Sequence, residues 1–459
     1  MKAVASKQRR CAPAATDHDS LLSKNLLSSD DKPELSCALR LKIAACWALC
    51  LLLLSPASRG YSVLSHEALI DSAWDVAIMP LLLQRFPDAT PEQLRTAHSF
   101  AYGGAVIQDM GYYPFGSKLF SDLVHYVRSG DFVVALLKDS QDLNEYAFAL
   151  GAMAHYAADN EGHRVATNKA VPMLYPKLRE KYGDVVTYDQ NPAAHLKAEF
   201  GFDVLQVAKG HYAPDDYRDR IGFEVSRDLL ERAFEETYAL KLDSIFTSYD
   251  LAVGTYRRAI GSIIPKMTKV AWQSKKDEIV KADPSITQRR FLYHLSHSSY
   301  RKQFHDKYRE PSFGIRLLAF LIQILPKVGP LQALSFRMPT PAAENLFMAS
   351  FNDSLHDYEG YVRALASAGR PDLVNDNFDT GTVTAPGEYP LADQTYASLL
   401  DHLEKVRFAQ VSPELRKDIL DYFSDPNAPL AVKKNKEQWA KVVREIDDLR
   451  AGAAAQNLP

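Results

Sequence analysis

Leu143 to His163 reads LNEYAFALGAMAHYAADNEGH, and its first sixteen residues are apolar on nearly every face. A surface helix carries one apolar stripe, whereas a helix that is apolar all round lies inside a protein. The stretch therefore predicts a buried central helix. Its C-terminal end sets three chemically active side chains in a row, His155, Asp159 and His163. A helix turns about 100° per residue, so steps of four keep side chains on roughly one face. Thirty-two residues after His163, His195 and Glu199 repeat the same step and form a second ladder. Imidazole and carboxylate without thiolate is a donor set that suits zinc.

Outward from this segment the pattern stays helical. Ser65 reads as an N-cap before HEALIDSAWDVAIMPLLLQRF, and Pro91 opens PEQLRTAHSFAYGGAVIQD. Gly111 to Gly116 (GYYPFG) and residues 183–192 (GDVVTYDQNP) read as loops. Strand-like alternation is scarce and there is no Asn-Gly hairpin signal, so the expected fold is all-α, a multi-helix bundle with a helical C-terminal extension. In that extension, residues 313–334 (FGIRLLAFLIQILPKVGPLQAL) are strongly apolar, broken by Arg316, Gln323, Pro326 and Lys327. They read either as a kinked core helix or as a surface that docks on lipid. Residues 369–390 read as a long loop and residues 430–450 as a solvated amphipathic helix. No internal repeat and no phosphate-binding glycine loop stands out. The second half shows no ligand spacing.

The chain has 459 residues, 46% hydrophobic and 24% charged, as a globular protein of two or three domains would have. The first 60 residues carry 9 Lys/Arg and 5 Asp/Glu, a local +4, so the net charge of −3 leaves the rest at −7. That balance argues against a general nucleic-acid-binding surface. All four cysteines (Cys11, Cys37, Cys46, Cys50) precede residue 60. A chain starting near 61 would use neither disulfides nor thiolate ligands, and metal could serve as its staple. The apolar run 43–54 (IAACWALCLLLL) follows Arg40 and Lys42 and ends in Ser-Pro-Ala-Ser-Arg-Gly. It reads as a secretory signal with an unusually long leading segment, directing the protein to the envelope, periplasm or medium. An uncleaved membrane anchor is the other reading. Cleavage after Gly60 would leave Ser58 and Gly60 at the two critical positions and make Tyr61 the new N-terminus.

Seven histidines lie between 61 and 211, and five of them fall in an ordered pattern with acids: His66, Asp109, His125, His155, Asp159, His163, His195, Glu199. His98 and His211 stand outside it and read as hydrogen-bonded structural histidines. Glu67, beside His66, has no ligand role on this reading. Catalytic zinc takes about three protein ligands and lowers the pKa of bound water to about 7. A carboxylate has two oxygens with which to bridge two ions, and Asp159 between two histidines is the obvious bridge.

In this order and spacing the residues resemble the zinc-dependent phospholipase C family and its relatives, the fungal-type single-strand-specific zinc nucleases. The resemblance covers about 61–260. It implies three zinc ions in an all-helical phospholipase C/nuclease-type bundle, with residues 61–270 as the catalytic domain and 271–459 as a region of unknown role. It implies that Asp109, His125 and His155 bind the first zinc, with Asp159 bridging to a second. That second ion takes His66 and the backbone amine and carbonyl of Tyr61, since Tyr61-Ser-Val-Leu-Ser-His66 has the spacing of the nucleases' Trp-x-x-x-x-His start. His163, His195 and Glu199 would hold the third. Asp109 is also the family's candidate general base.

Three departures stand out. Tyr61 replaces Trp. His163 sits four residues after Asp159 rather than six, which keeps the helix unbroken and puts His163 about 80° round from His155. Met110 and Asp122 stand where choline-preferring members carry aromatics, leaving Tyr112, Tyr113 and Phe115 as the aromatic side chains nearby to contact substrate.

The activity so implied is hydrolysis of a phospholipid to diacylglycerol and a phosphorylated head group. A single-strand nuclease or 3'-nucleotidase is the alternative, which Glu199 disfavours because the nucleases end this ladder in Asp. A non-catalytic, zinc-stapled envelope protein is the other. An extra residue placed before Tyr61 should lower bound zinc by one ion, as read by metal analysis, because the free amine is lost. Unchanged stoichiometry would refute that role.

Overall fold

The computed structural model describes residues 62–209, 211, 222–260, 264, 267, 271, 275, 277, 278, 280 and 335–456. The signal segment, Tyr61 and residues 313–334 lie outside them. The predicted central helix runs from Leu143 to Glu161 and is buried from Tyr146 onward. Asp142 caps it, its carboxylate accepting from the N–H groups of Asn144 and Glu145 at 2.9 Å each. Elements packed around it include the helix Pro91–Gly104, which opens with a Thr90/Gln93 capping box, and the 28-residue helix Pro341–Ala368. Among the described residues the only strands are the two-residue pair β1 (Asp376–Asn377) and β2 (Thr382–Val383), so the all-α expectation holds. No helix among them is long and apolar enough to cross a membrane.

The crossing of Pro91–Gly104 with Leu143–Glu161 depends on having almost no side chain at its centre. A β-carbon on Gly104 would lie 1.9 Å from the Phe148 carbonyl oxygen, and one on Gly151 would lie 2.1 Å from that of Ala101. The two backbones therefore nearly touch. One turn further on, the Ala105 carbonyl accepts from His155 Nδ1 at 2.9 Å, and Gln108 Nε2 donates to the Ala152 carbonyl at 3.0 Å. Close helix packing thus sets the position of a candidate ligand.

Other local expectations need revision. The first helix, Val63–Ala73, begins after Ser62, so Ser65 lies inside it and is not its cap. The hydroxyl of Ser65 donates instead to Asp203 Oδ1 at 2.8 Å, and the Leu64 N–H donates to Asp203 Oδ2 at 3.2 Å. The helical run past Asp159 is not uniformly α: from Gly162 to Thr167 it widens into a π turn, with His163 in it. Such turns recur at functional sites because they rotate the side chains that follow. The long loop 369–390 holds the β1–β2 hairpin, whose connection Phe378–Gly381 is four residues long, with Asn377 Oδ1 accepting the Asp379 N–H at 3.0 Å. That connection carries no two-residue Asn-Gly signature. Finally, the helix Lys436–Gln456 is docked rather than free in solvent: Val442, Ile446 and Leu449 are buried on the side that meets Pro390–Lys405.

Gly151→Ala sets two effects against each other. Alanine favours a helix by about 1 kcal/mol over glycine, but the clash at Ala101 forces the backbones apart, an overpacking cost of about 1–3 kcal/mol. The net expectation is a lower urea midpoint. Gly254→Ala is the matched control, because Gly254 lies in the helix Tyr249–Arg258 with nothing within 4 Å of an added carbon. It should raise the midpoint, and equal effects at the two sites would contradict the crossing argument.

Candidate metal centre

The pattern residues come from separate elements. His66 is on Val63–Ala73, Asp109 on the 3-10 turn Ile107–Tyr112, and His125 on the helix Lys118–Tyr126. His155 and Asp159 end the central helix, His163 lies in the π turn, and His195 with Glu199 is on Pro192–Ala208. Ser121 ties the second and third of these elements together, donating to the Gln108 carbonyl and accepting the Gly111 N–H at 2.9 Å. Asn191 caps the last helix by accepting the Ala194 N–H at 2.9 Å.

These residues converge into three groups whose donor atoms lie within 4.8 Å of one another: Asp109, His125, His155; His66, His155, Asp159; and His163, His195, Glu199. All are fully buried except Glu199, which is 2% exposed. Asp159 divides its oxygens. Oδ1 stands 3.4 Å from His66 Nε2, while Oδ2 stands 3.1 Å from His155 Nε2 and 3.5 Å from His125 Nε2. That is the disposition a bridging carboxylate needs. Asp109 Oδ1 is 3.6 Å from His125 Nε2, and Glu199 Oε1 is 3.8 Å from His195 Nδ1. Two donors 2.0–2.1 Å from a tetrahedral zinc stand about 3.3 Å apart, so these separations suit ligands that share an ion.

The outward nitrogens of three histidines argue the same way. His125 Nδ1 donates to the Ser121 carbonyl at 2.7 Å, His155 Nδ1 to Ala105 at 2.9 Å, and His195 Nε2 to Val186 at 2.6 Å. A carbonyl only accepts, so each bond fixes the proton on the outer nitrogen and leaves the inner one to face its group, as metal-binding histidines are held. Both ring nitrogens of His163 and both carboxylate oxygens of Glu199 are buried without a hydrogen bond. Buried polar atoms are nearly always satisfied, and a cation would satisfy these. The donor set therefore fits zinc.

Electrostatics point to the same need. Burial works to lower the His155 pKa, but the Asp159 carboxylate beside it, helped by Asp109 and the Ala105 bond, raises it to about 9. Burial works to raise Asp159, yet the charges and hydrogen bonds of His155, His125 and His66 hold it well below 3.8. Glu199 is pushed well above 4.5 by burial first and then by Asp159, Asp109, Asp379 and Asp203. Crowded carboxylates of this kind require either protons or metal.

Not every candidate residue joins the centre. His98 sits 3.1 Å from Asp71 and stacks on Trp74 at 3.8 Å, and His211 Nδ1 meets Gln206 Oε1 at 2.6 Å, so both are structural as expected. Glu67 is buried beside His66. Tyr112 is only 1% exposed, with its ring 5.9 Å from that of His125, and so packs beside the centre. Tyr113 meets Tyr256 edge-on at 5.2 Å, and Phe115 is 47% exposed with a left-handed φ of 65°. Asp401, Glu404 and Glu445 also cluster, but Lys405 and Lys441 pair with Asp401.

Two residues escaped the sequence reading. Asp203, one helical turn past Glu199, is fully buried and pins the start of the first helix through Leu64 and Ser65. Burial raises its pKa to about 7, against the hydrogen bonds of Ser62, Ser65 and Leu64. The step of four from Glu199 was the available signal. Asp379, in the β1–β2 connection, is fully buried with Oδ1 3.5 Å from His163 Nε2. Nothing in the pattern of the second half marks it.

Residues 65–247 match the family described as zinc dependent phospholipase C. The match spans the ordered pattern from His66 to Glu199 and stops short of Asp379. Neither a curated protein nor a solved structure matches the chain.

Metal must displace protons here. With His155 raised to about 9, its inner nitrogen is protonated at neutral pH in the metal-free protein. Zinc affinity should therefore rise about tenfold per pH unit between 7 and 9, with proton release on binding. In the metal-free protein the charged His155 stabilises the fold fully below pH 6.5, and that contribution is lost as pH rises through about 9. Chelator-buffered zinc titrations read the first effect, and a pH-independent affinity would contradict it.

Proposed function

Taking residues 65–247 as a zinc-dependent phospholipase C-like hydrolase domain, we propose that the protein cleaves phospholipids with water into diacylglycerol and a phosphorylated head group. The observation that carries this reading is Asp159, whose two oxygens face different histidines within a buried cluster. Asp109, His125 and His155 would hold one zinc. His66, Asp159 and the Tyr61 backbone would hold a second, and His163, His195 and Glu199 a third. Bound there, zinc supplies a water nucleophile at neutral pH and neutralises charge developing on the phosphoryl oxygens.

The chain's own groups do the rest. Asp159 fixes the spacing between the two histidine groups it faces. Asp109, buried beside His125, would be the carboxylate that takes the proton of the attacking water. The carbonyls of Ser121, Ala105 and Val186 hold the imidazoles in the required tautomer. Phe115, exposed in its loop, and half-buried Tyr113 would be the aromatics that contact lipid. Export supports a lipid substrate outside the cell, and the run 43–54 followed by small residues supports export. The apolar segment 313–334 would add a peripheral membrane contact.

The test uses protein beginning at Tyr61, loaded with zinc and mixed with phospholipid vesicles. Diacylglycerol release should be abolished by chelator. Residues that merely support a ligand are worth about 10–100-fold, so Asp159→Asn should slow release by at least about 100-fold and lower bound zinc. A zinc-loaded protein that releases no diacylglycerol, or that cleaves single-stranded nucleic acid instead, would overturn the assignment.

A further inference from the structure

Histidine contacts in the centre fall into two distance classes. Bonds that orient a ring, from an outer nitrogen to a backbone carbonyl, measure 2.6, 2.7 and 2.9 Å. Contacts between candidate ligands measure 3.1 to 3.8 Å. His163 Nε2 to Asp379 Oδ1, at 3.5 Å, belongs to the second class. It is long for a hydrogen bond, whose usual N···O range is about 2.7–3.2 Å. It is close to the roughly 3.3 Å expected between two donors on one tetrahedral zinc.

The surroundings of Asp379 fit that role. Its Oδ2 accepts hydrogen bonds from the hydroxyls of Tyr126, at 2.7 Å, and Tyr389, which turns Oδ1 toward His163. Its backbone carbonyl accepts from Asn168 Nδ2 at 2.7 Å and its N–H donates to Asn377 Oδ1. Ligating carboxylates are themselves held by such hydrogen bonds. The hairpin is seated closely, since a β-carbon on Gly381 would lie 2.4 Å from the Asn160 carbonyl oxygen. The Phe378 N–H donates to the His125 carbonyl at 3.2 Å.

We infer that Asp379 is a fourth protein ligand of the ion held by His163, His195 and Glu199. With four protein donors that site is closed and structural, because catalytic zinc keeps a position for water. The chemistry then belongs to the pair of groups joined by Asp159. The closed site fastens the hairpin of the C-terminal half to the family-matched segment. This inference rests on the zinc reading above.

Metal content separates the two. In zinc-loaded protein, Asp379→Asn should lose one ion to chelator at about 100-fold lower chelator concentration than the parent, with the other ions unaffected. Cobalt substituted for zinc should show weaker visible absorption in the variant, as coordination is completed by water. Asp379→Glu should retain the ion, and Tyr389→Phe should weaken it by no more than about tenfold. Unchanged zinc retention and an unchanged cobalt spectrum in Asp379→Asn overturn the inference. If His163→Gln also keeps every ion, the zinc reading itself fails; if His163→Gln loses one ion and Asp379→Asn none, only the role of Asp379 fails. Should Asp379→Asn not fold, Asp379→Cys carries the test: a new thiolate-to-cobalt band in the difference spectrum supports ligation, and its absence overturns it.

Discussion

Asp159 is a fully buried carboxylate, placed among three imidazoles that are equally enclosed. Removing such groups from solvent costs several kcal/mol each unless opposite charge and hydrogen bonds compensate. The surrounding architecture serves that compensation. The central helix carries Asp159 and His155 into the interior, the glycine crossing sets the Ala105 carbonyl against His155, and Ser121 joins the Asp109 turn to the His125 helix. The His125 and His195 rings are each turned inward by a backbone carbonyl. A divalent cation is the natural completion of a cavity built from imidazoles and carboxylates alone.

Much of this is legible in the chain because helices turn spacing into geometry. Steps of four brought His155 beside Asp159 and His195 beside Glu199, and the all-round apolar character of 143–158 identified the helix that has to be buried. The place where regularity failed is informative. A uniform α-helix through His163 would have kept one rotation per residue, but the π turn from Gly162 interrupts it. His163, inside that turn, lies with His195 and Glu199, on a group separate from that of His155, as its spacing also implied. Hydrogen bonding over five residues instead of four leaves no mark in apolar periodicity, so the widened turn was invisible in the sequence.

Asp379 was hidden for a different reason. It lies 180 residues beyond Glu199, in a connection rich in Asp, Asn, Thr and Gly, where one aspartate looks like any other turn residue. Its distinction comes only from tertiary packing: two tyrosine hydroxyls on one oxygen, a histidine near the other, and neighbouring Phe378 with its ring 5.2 Å from that of His125.

The hairpin also has a temporal consequence. Synthesis runs from the amino end at about 5–20 residues per second, so Glu199 is made roughly 10–40 s before Asp379. During that interval the helices that bear the histidines exist without the segment that covers them. An ion bound in that interval would have His163, His195 and Glu199 but not yet Asp379, so the order in which the chain appears would set the order in which its ligand set is assembled.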